Sequence, residues 1–281
     1  MQTEEMLAGD LQLDIGGEHF DLHLEIPATP VKPQRMLPVF QTLTNTIVAR
    51  GIERSEAAGN AISCKSGCGA CCRQPLLISE AEAYNLAEMV KAMPEPRREI
   101  VKKRFADGRQ HFENRNWFER FNEFSRQAED GDSEALGKFF VALLSEYIEQ
   151  RVACPFLENE SCSIYESRPL ICREYLVTSP PENCKNPTPY NTQKLPISGT
   201  ASRAMGVLCK TPNSKDPASL LLIRLLEFAE SNSEQFEKRI GPAWADDFFR
   251  LLTRKKDPGL PAKSPAAEPI NPSSVSQRFA G

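Results

Sequence analysis

The sequence has no long apolar run. No stretch reaches the roughly 18 residues that a membrane span requires, so no membrane partner is expected. It has no strong charge of either sign. Lysine and arginine number 34 against 38 acidic residues, a net of -4, and this gives no footprint for nucleic acid. The opening Met1-Gln2-Thr3-Glu4-Glu5-Met6 is acidic and lacks the basic-then-apolar plan of a signal peptide, so a cytoplasmic location is the expectation. Internal repeats, heptads and alternating strand–helix units are missing as well, which excludes solenoids, coiled coils and doubly wound sheets. No phosphate loop is present. Gly67-Cys68-Gly69 begins a dinucleotide fingerprint, but position 72 is cysteine. With three histidines, no Ser-His-Asp order can be proposed.

What the chain does have is cysteine, nine in all. Cys64, Cys68, Cys71 and Cys72 fall within nine residues, with Gly67 and Gly69 between them. Cys154, Cys162 and Cys172 form a second run about eighty residues later, and Cys184 follows in a proline-rich stretch. In a reducing compartment such clusters are metal ligands more often than disulfides. An odd count leaves one thiol unpaired in any full disulfide scheme, and Cys71 with Cys72 would pair only through a strained ring. The Cys68-x-x-Cys71 spacing lets two sulfurs on one turn reach the same ion, about 2.3 Å away for zinc. Similar spacings hold iron–sulfur clusters. Seven cysteines in two runs exceed the four that one tetrahedral ion needs. A binuclear site, a cluster, or four ligands with spare thiols all remain open.

Charge fits this chemistry. Four thiolates around a divalent ion leave a net of -2, and Lys65, Arg73, Arg168 and Arg173 lie beside the cysteines in sequence. They read as charge partners or as a solvated surface. Cys209 reads as a small buried hydrophobe. His19, His23 and His111 are far from the cysteines in sequence and read as surface residues rather than ligands.

The predicted fold is mainly α with a small N-terminal β-hairpin and irregular cysteine-rich loops. Residues 11–26 alternate around Gly16-Gly17 as two strands. Such a hairpin is marginal alone and must pack on the main domain or on a protein partner. Pro27, Pro30 and Pro33 make a connector. Residues 36–57 form a helix with Leu37, Phe40, Leu43, Thr44, Ile47 and Val48 on one face, interrupted late by Gly51. Ser79-x-x-Glu82 is a capping box opening a helix that stops before Pro94. Residues 96–127 are one ragged helix bent at Gly108, and 133–152 a cleaner one. Residues 173–215 are predicted as coil. Helices are then predicted from Asp216-Pro217 through Phe228, from Ser233 to Ile240, and from Pro242 to Lys256. The division is residues 1–35 (hairpin and connector), 36–256 (helical cysteine-cluster domain) and 257–281, a tail low in apolar residues and expected to be disordered.

Cys-x3-Cys-x2-Cys-Cys, then Cys154-Pro155-Phe156-Leu157, then Cys162-x-Ile164-Tyr165-x-x-Arg168-Pro169-x-x-Cys172-Arg173, resembles the YkgJ family of CxxCxxCC-type cysteine-cluster proteins. The motifs touch roughly residues 60–180. The resemblance implies zinc or iron chelation. It implies ligands among Cys64, Cys68, Cys71, Cys72, Cys154, Cys162 and Cys172, and supporting roles for Pro155, Phe156, Tyr165, Arg168, Pro169 and Arg173. Flagellin lysine-N-methylases carry a similar cluster, so an iron–sulfur enzyme is an alternative. A zinc-stapled interaction module is another. Cys64-x3-Cys68-x2-Cys71 also matches the radical S-adenosylmethionine spacing, but the strand–helix alternation of those enzymes is missing.

Overall fold

The computed structural model describes residues 5–130, 134–188, 190–210 and 220–253. The chain is mainly helical. It opens with the predicted hairpin, longer than the alternation alone indicated: β1 (Met6–Ile15) pairs antiparallel with β2 (Glu18–Pro27), Ile15 opposite Glu18. Both turn glycines have positive φ, +58° and +86°, the backbone a two-residue turn requires. One face of the hairpin carries Leu11, Leu13, Ile15, Phe20, Leu22, Leu24 and Ile26, all buried.

The proline connector is not bare coil. Its short strand β3 (Pro30–Val31) leads through a 3-10 turn into α1 (Leu37–Ala57). The six predicted inward residues of α1 are all buried. Gly51 does not interrupt the helix. It sits inside it because a side chain there would press on the carbonyl of Pro196, 3.1 Å from an added Cβ. Gly59, with φ +83°, follows the helix end. The first core is this hairpin face packed on α1 and on two helices from the end of the chain.

After the first cysteine run, β4 (Leu77–Ile78) leads to α2 (Glu80–Lys91), which starts with the predicted capping box. Next come α3 (Arg97–Glu113) and α4 (Trp117–Asp130). These correct the prediction of one helix bent at Gly108. The break falls at 114–116, where Asn116 takes φ +50°, a conformation asparagine tolerates better than most residues. Gly108 instead gives Ile223 room to pack against α3. Helix α5 (Glu134–Glu149) lies beside α4. Trp117, Phe112, Phe118, Phe121, Leu143 and Tyr147 are buried between them, so the aromatics are core, as expected. The indole of Trp117 donates to the Leu143 carbonyl at 3.1 Å.

The second cysteine run follows as β5 (Leu157–Glu158), β6 (Ser161–Cys162) and α6 (Leu170–Glu174). The predicted coil of 173–215 contains α7 (Ala201–Leu208). No local cap announces α7. Its first amides are capped from a distance, by the Glu174 carboxylate, which accepts from the Ser202 amide at 3.0 Å and from its hydroxyl. Asp216-Pro217 lies outside the described residues, as do Arg254–Lys256 and the 257–281 tail. Leu220 to Phe228 is not one helix: β7 (Leu220–Leu221) pairs with β4 before α8 (Leu225–Ser231) begins. An all-apolar run has no period to distinguish the two forms, and the strand gains hydrogen bonds from β4. Ser233 to Ile240 is not helical either. Its end forms β8 (Arg239–Ile240), paired with β3. Helix α9 (Gly241–Thr253) closes the first core, with Phe248 stacked on Phe40 at 3.9 Å. Among the described residues no helix is long and apolar enough to cross a membrane.

Candidate metal centre

The first cysteine run is a chain of tight turns. The amide of Cys68 donates to Lys65, that of Cys72 to Gly69, and that of Gln74 to Cys71, all at 3.0–3.1 Å. Gly67 has φ +84°, which only glycine adopts without strain. Gly69 is needed for another reason. It is buried against the turn between β5 and β6, and an added Cβ would lie 2.4 Å from the Glu160 carbonyl oxygen. That turn has two residues, Asn159 and Glu160, both at positive φ (+50° and +57°), and it returns Cys162 opposite Leu157.

The two runs are in direct contact. The Cys154 amide donates to the Cys72 carbonyl at 2.7 Å. Arg73 forms a two-pronged ion pair with Glu160, at 2.6 and 3.1 Å. On the other side, the strap after α6 holds the first run. The Val177 amide donates to the Cys64 sulfur at 3.3 Å, and the Ser63 amide donates to the Val177 carbonyl at 2.9 Å. Gln74 donates to the Cys184 carbonyl (3.0 Å) and to the Tyr175 hydroxyl (3.2 Å). Cys64–Cys72 therefore lies between the β5–β6 hairpin and the strap that carries Cys184.

Residues 63–194 match a family model, CxxCxxCC, described as "Putative zinc- or iron-chelating domain". Over these residues the chain is similar to the CxxCxxCC domain. The match spans a little under half of the sequence and agrees with the resemblance read from the cysteine motifs. No match was found among curated proteins or among solved structures.

The matched residues include all eight candidate cysteines, Cys64, Cys68, Cys71, Cys72, Cys154, Cys162, Cys172 and Cys184, each a free thiol. Seven are partly exposed and Cys184 is buried. The thiols act on one another. Charge on Cys71 adds to the upward push on Cys64, Cys184, Cys154, Cys162 and Cys172. Burial pushes the Cys154 thiol up to about 12 and the Cys184 thiol up to about 11, and it raises Cys64, Cys162 and Cys172 as well. Cys71 is raised first by the adjoining Cys72 side chain and then by burial. Each additional thiolate disfavours its neighbours, and a cation among them would favour their ionised forms.

The donor chemistry fits a thiophilic ion. Soft sulfur ligands in this number select zinc or iron over calcium or magnesium. Among the described residues, no three His, Cys, Asp or Glu side chains already stand so that they could hold one ion. The backbone gathers the donors; it does not fix their final directions.

Around the CxxCxxCC cysteines, the three arginines differ. Arg73 is tied to Glu160. Arg173 is buried and spent on bracing, donating to the carbonyls of Arg168 (3.1 Å) and Glu166 and to the Asn45 side chain on α1 (3.2 Å). Arg168 lies over the Tyr165 ring, 3.7 Å from its centroid. Sequence reasoning found the Glu82 capping box but missed its second task. The same buried carboxylate accepts from the Leu170 amide at 2.8 Å, tying α2 to the start of the helix that bears Cys172. Gln74, Tyr175 and Val177 were also missed, since no motif marks them. Cys209 is buried in the first core, apart from these thiols. His19 and His23 pair with Asp14 and Asp10 on the exposed hairpin face, and His111 meets Gln150.

Proposed function

We propose that the domain binds zinc or iron through thiolates drawn from both cysteine runs and from Cys184. One observation carries the reading: the two runs, distant in sequence, are hydrogen-bonded to each other at Cys154 and Cys72. A bound ion supplies the positive charge that makes ionised sulfurs favourable in a partly buried site. The chain's own residues do the rest. Gly67 and Gly69 allow the close turns, and Arg73 with Glu160 clamps the runs. The Val177 amide donates to the Cys64 sulfur and would temper its charge. Eight thiols gathered within residues 63–194 favour a centre using more than four cysteines. An iron–sulfur cluster and a binuclear site both satisfy that. A protein partner, if one binds the N-terminal hairpin, would meet its polar face, because the apolar face is buried within the chain.

Anaerobic purification followed by metal and acid-labile sulfide analysis tests the proposal. Stoichiometric zinc in colourless protein, or iron in brown protein that bleaches on reduction, supports it. Protein free of both metals after anaerobic handling, and unable to take up either, refutes it.

A further inference from the structure

Gln74 closes the last turn of the first cysteine run and is bound in three directions. Its amide donates to the Cys71 carbonyl at 3.1 Å. Its side-chain nitrogen donates to the Tyr175 hydroxyl at 3.2 Å and to the Cys184 carbonyl at 3.0 Å. A carboxamide nitrogen carries two protons, so both are used. A carbonyl can only accept, so the nitrogen end of the side chain must face Cys184. The two acceptors lie 101 and 110 residues away in sequence. Tyr175 directly follows α6, which carries Cys172, and Lys194 lies 5.1 Å from the centroid of its ring.

Cys184 differs from the other seven candidate thiols. It alone is buried, and it lies beyond both runs on a 3-10 turn of its own (Pro181–Lys185). That turn leaves the strap where the Thr178 amide donates to the Gln193 carbonyl at 3.0 Å. Asn183 braces it locally, donating to the Asn191 carbonyl at 2.5 Å. Arg151 reaches it from an exposed position and donates to the Lys185 carbonyl at 3.0 Å. Gln74 holds it at Cys184 itself, from a partly buried position, and is at the same time bonded to Cys71.

We propose that Gln74 seats Cys184 against the first cysteine run, so that this eighth thiol serves the same metal centre as Cys71. The inference rests on the metal-binding reading above. Gln74 is a positioning residue. It acts through the Cys184 backbone and through Tyr175, and it is not a ligand.

The test is a double-mutant cycle on the full chain: Gln74→Met, Cys184→Ser and the two together, with Co²⁺ alone as probe against a competing chelator. Methionine is neutral, close to glutamine in length and has no donor. The readouts are affinity and sulfur-to-cobalt charge-transfer absorption per bound ion, which follows the number of thiolate ligands. Loss of a group that orients a metal ligand costs about 10–100-fold in affinity. Gln74→Met and Cys184→Ser are each expected to show that loss together with weaker absorption per ion. The double variant is expected to fall no further than Cys184→Ser alone. If Gln74→Met does not fold, Gln74→Leu takes its place in the cycle. Full affinity and absorption in Cys184→Ser overturns the inference and leaves the metal reading standing. Unchanged absorption per ion in Gln74→Met overturns it too, since a glutamine that only supports the fold would leave the ligand set intact. Additive losses in the double variant overturn it as well, because Gln74 would then act apart from Cys184. Absence of cobalt binding by the unaltered chain overturns the metal reading and this inference together.

Discussion

The amide of Cys154 donates to the carbonyl of Cys72 across 2.7 Å, although 81 residues separate them in sequence. This bond lies where the two cysteine runs meet.

Cys71 belongs to the run that the Cys154 amide joins at Cys72, whereas Cys209 lies in a separate core. Cys71→Ser is expected to lower bound metal more than any other single cysteine change. Cys209→Ser is expected to leave metal content intact and to cost about 1–3 kcal/mol of stability, as burial of a new hydroxyl does. Elemental analysis and denaturant melts of the two variants separate these outcomes. Equal metal content in both would contradict the first.

Gly69→Ala forces a methyl group to within 2.4 Å of the Glu160 carbonyl, and that oxygen belongs to the backbone of a two-residue turn. The expected cost is about 1–3 kcal/mol, the range for overpacking a tight contact, together with weaker metal uptake. Gly59→Ala is the control. It meets nothing within 4 Å and tests only the cost of φ +83°. Equal metal affinity in Gly69→Ala and the native chain would show that the two runs need not touch.

Structural zinc contributes on the order of 10 kcal/mol of binding free energy, comparable to the stability of a whole domain. Chelation is therefore expected to open the loops at 60–75 and 154–184 to protease before the hairpin or α1 is cut. Mass spectrometry of early fragments locates the cuts. Loops cleaved no faster after chelation than before would count against a metal-dependent fold.

His19 lies against Asp14, at 3.0 Å, and near Asp21, at 3.6 Å, on the exposed hairpin face. The hydrogen bond to Asp14 is the first cause that raises its titration above the ordinary histidine value, with burial opposing it. A histidine raised in the folded state adds stability below its unfolded value, and that gain is lost as pH rises through the folded value. Titration by NMR is expected to place His19 above 6.5 in the native chain, and Asp14→Asn to bring it back down. A midpoint unmoved by Asp14→Asn would remove this pair as the cause.

Periodicity and local signals located the hairpin at Gly16-Gly17, the buried face of α1 and the capping box at Ser79, because each depends on neighbours in sequence. They failed where a distant residue supplies what the local chain lacks. Helix α7 was invisible because Glu174 caps it from 28 positions away. Leu220-Leu221 became a strand because β4 offered hydrogen bonds that an apolar pattern does not encode. The break at Asn116 was assigned to Gly108 because a glycine looks like a bend, while this one makes room for Ile223.

The amino-acid sequence alone determined which thiols the chain holds: eight cysteines at these spacings, with the glycines that let the backbone turn between them. Covalent order and side-chain chemistry are local properties, so they can be read directly. Which cysteine runs meet, and which partner each arginine takes, followed only from folding. Arg73 is committed to Glu160 and Arg173 to backbone carbonyls, while Arg168 lies over Tyr165. Three-dimensional packing assigns partners by distance in space, and sequence separation does not carry that information.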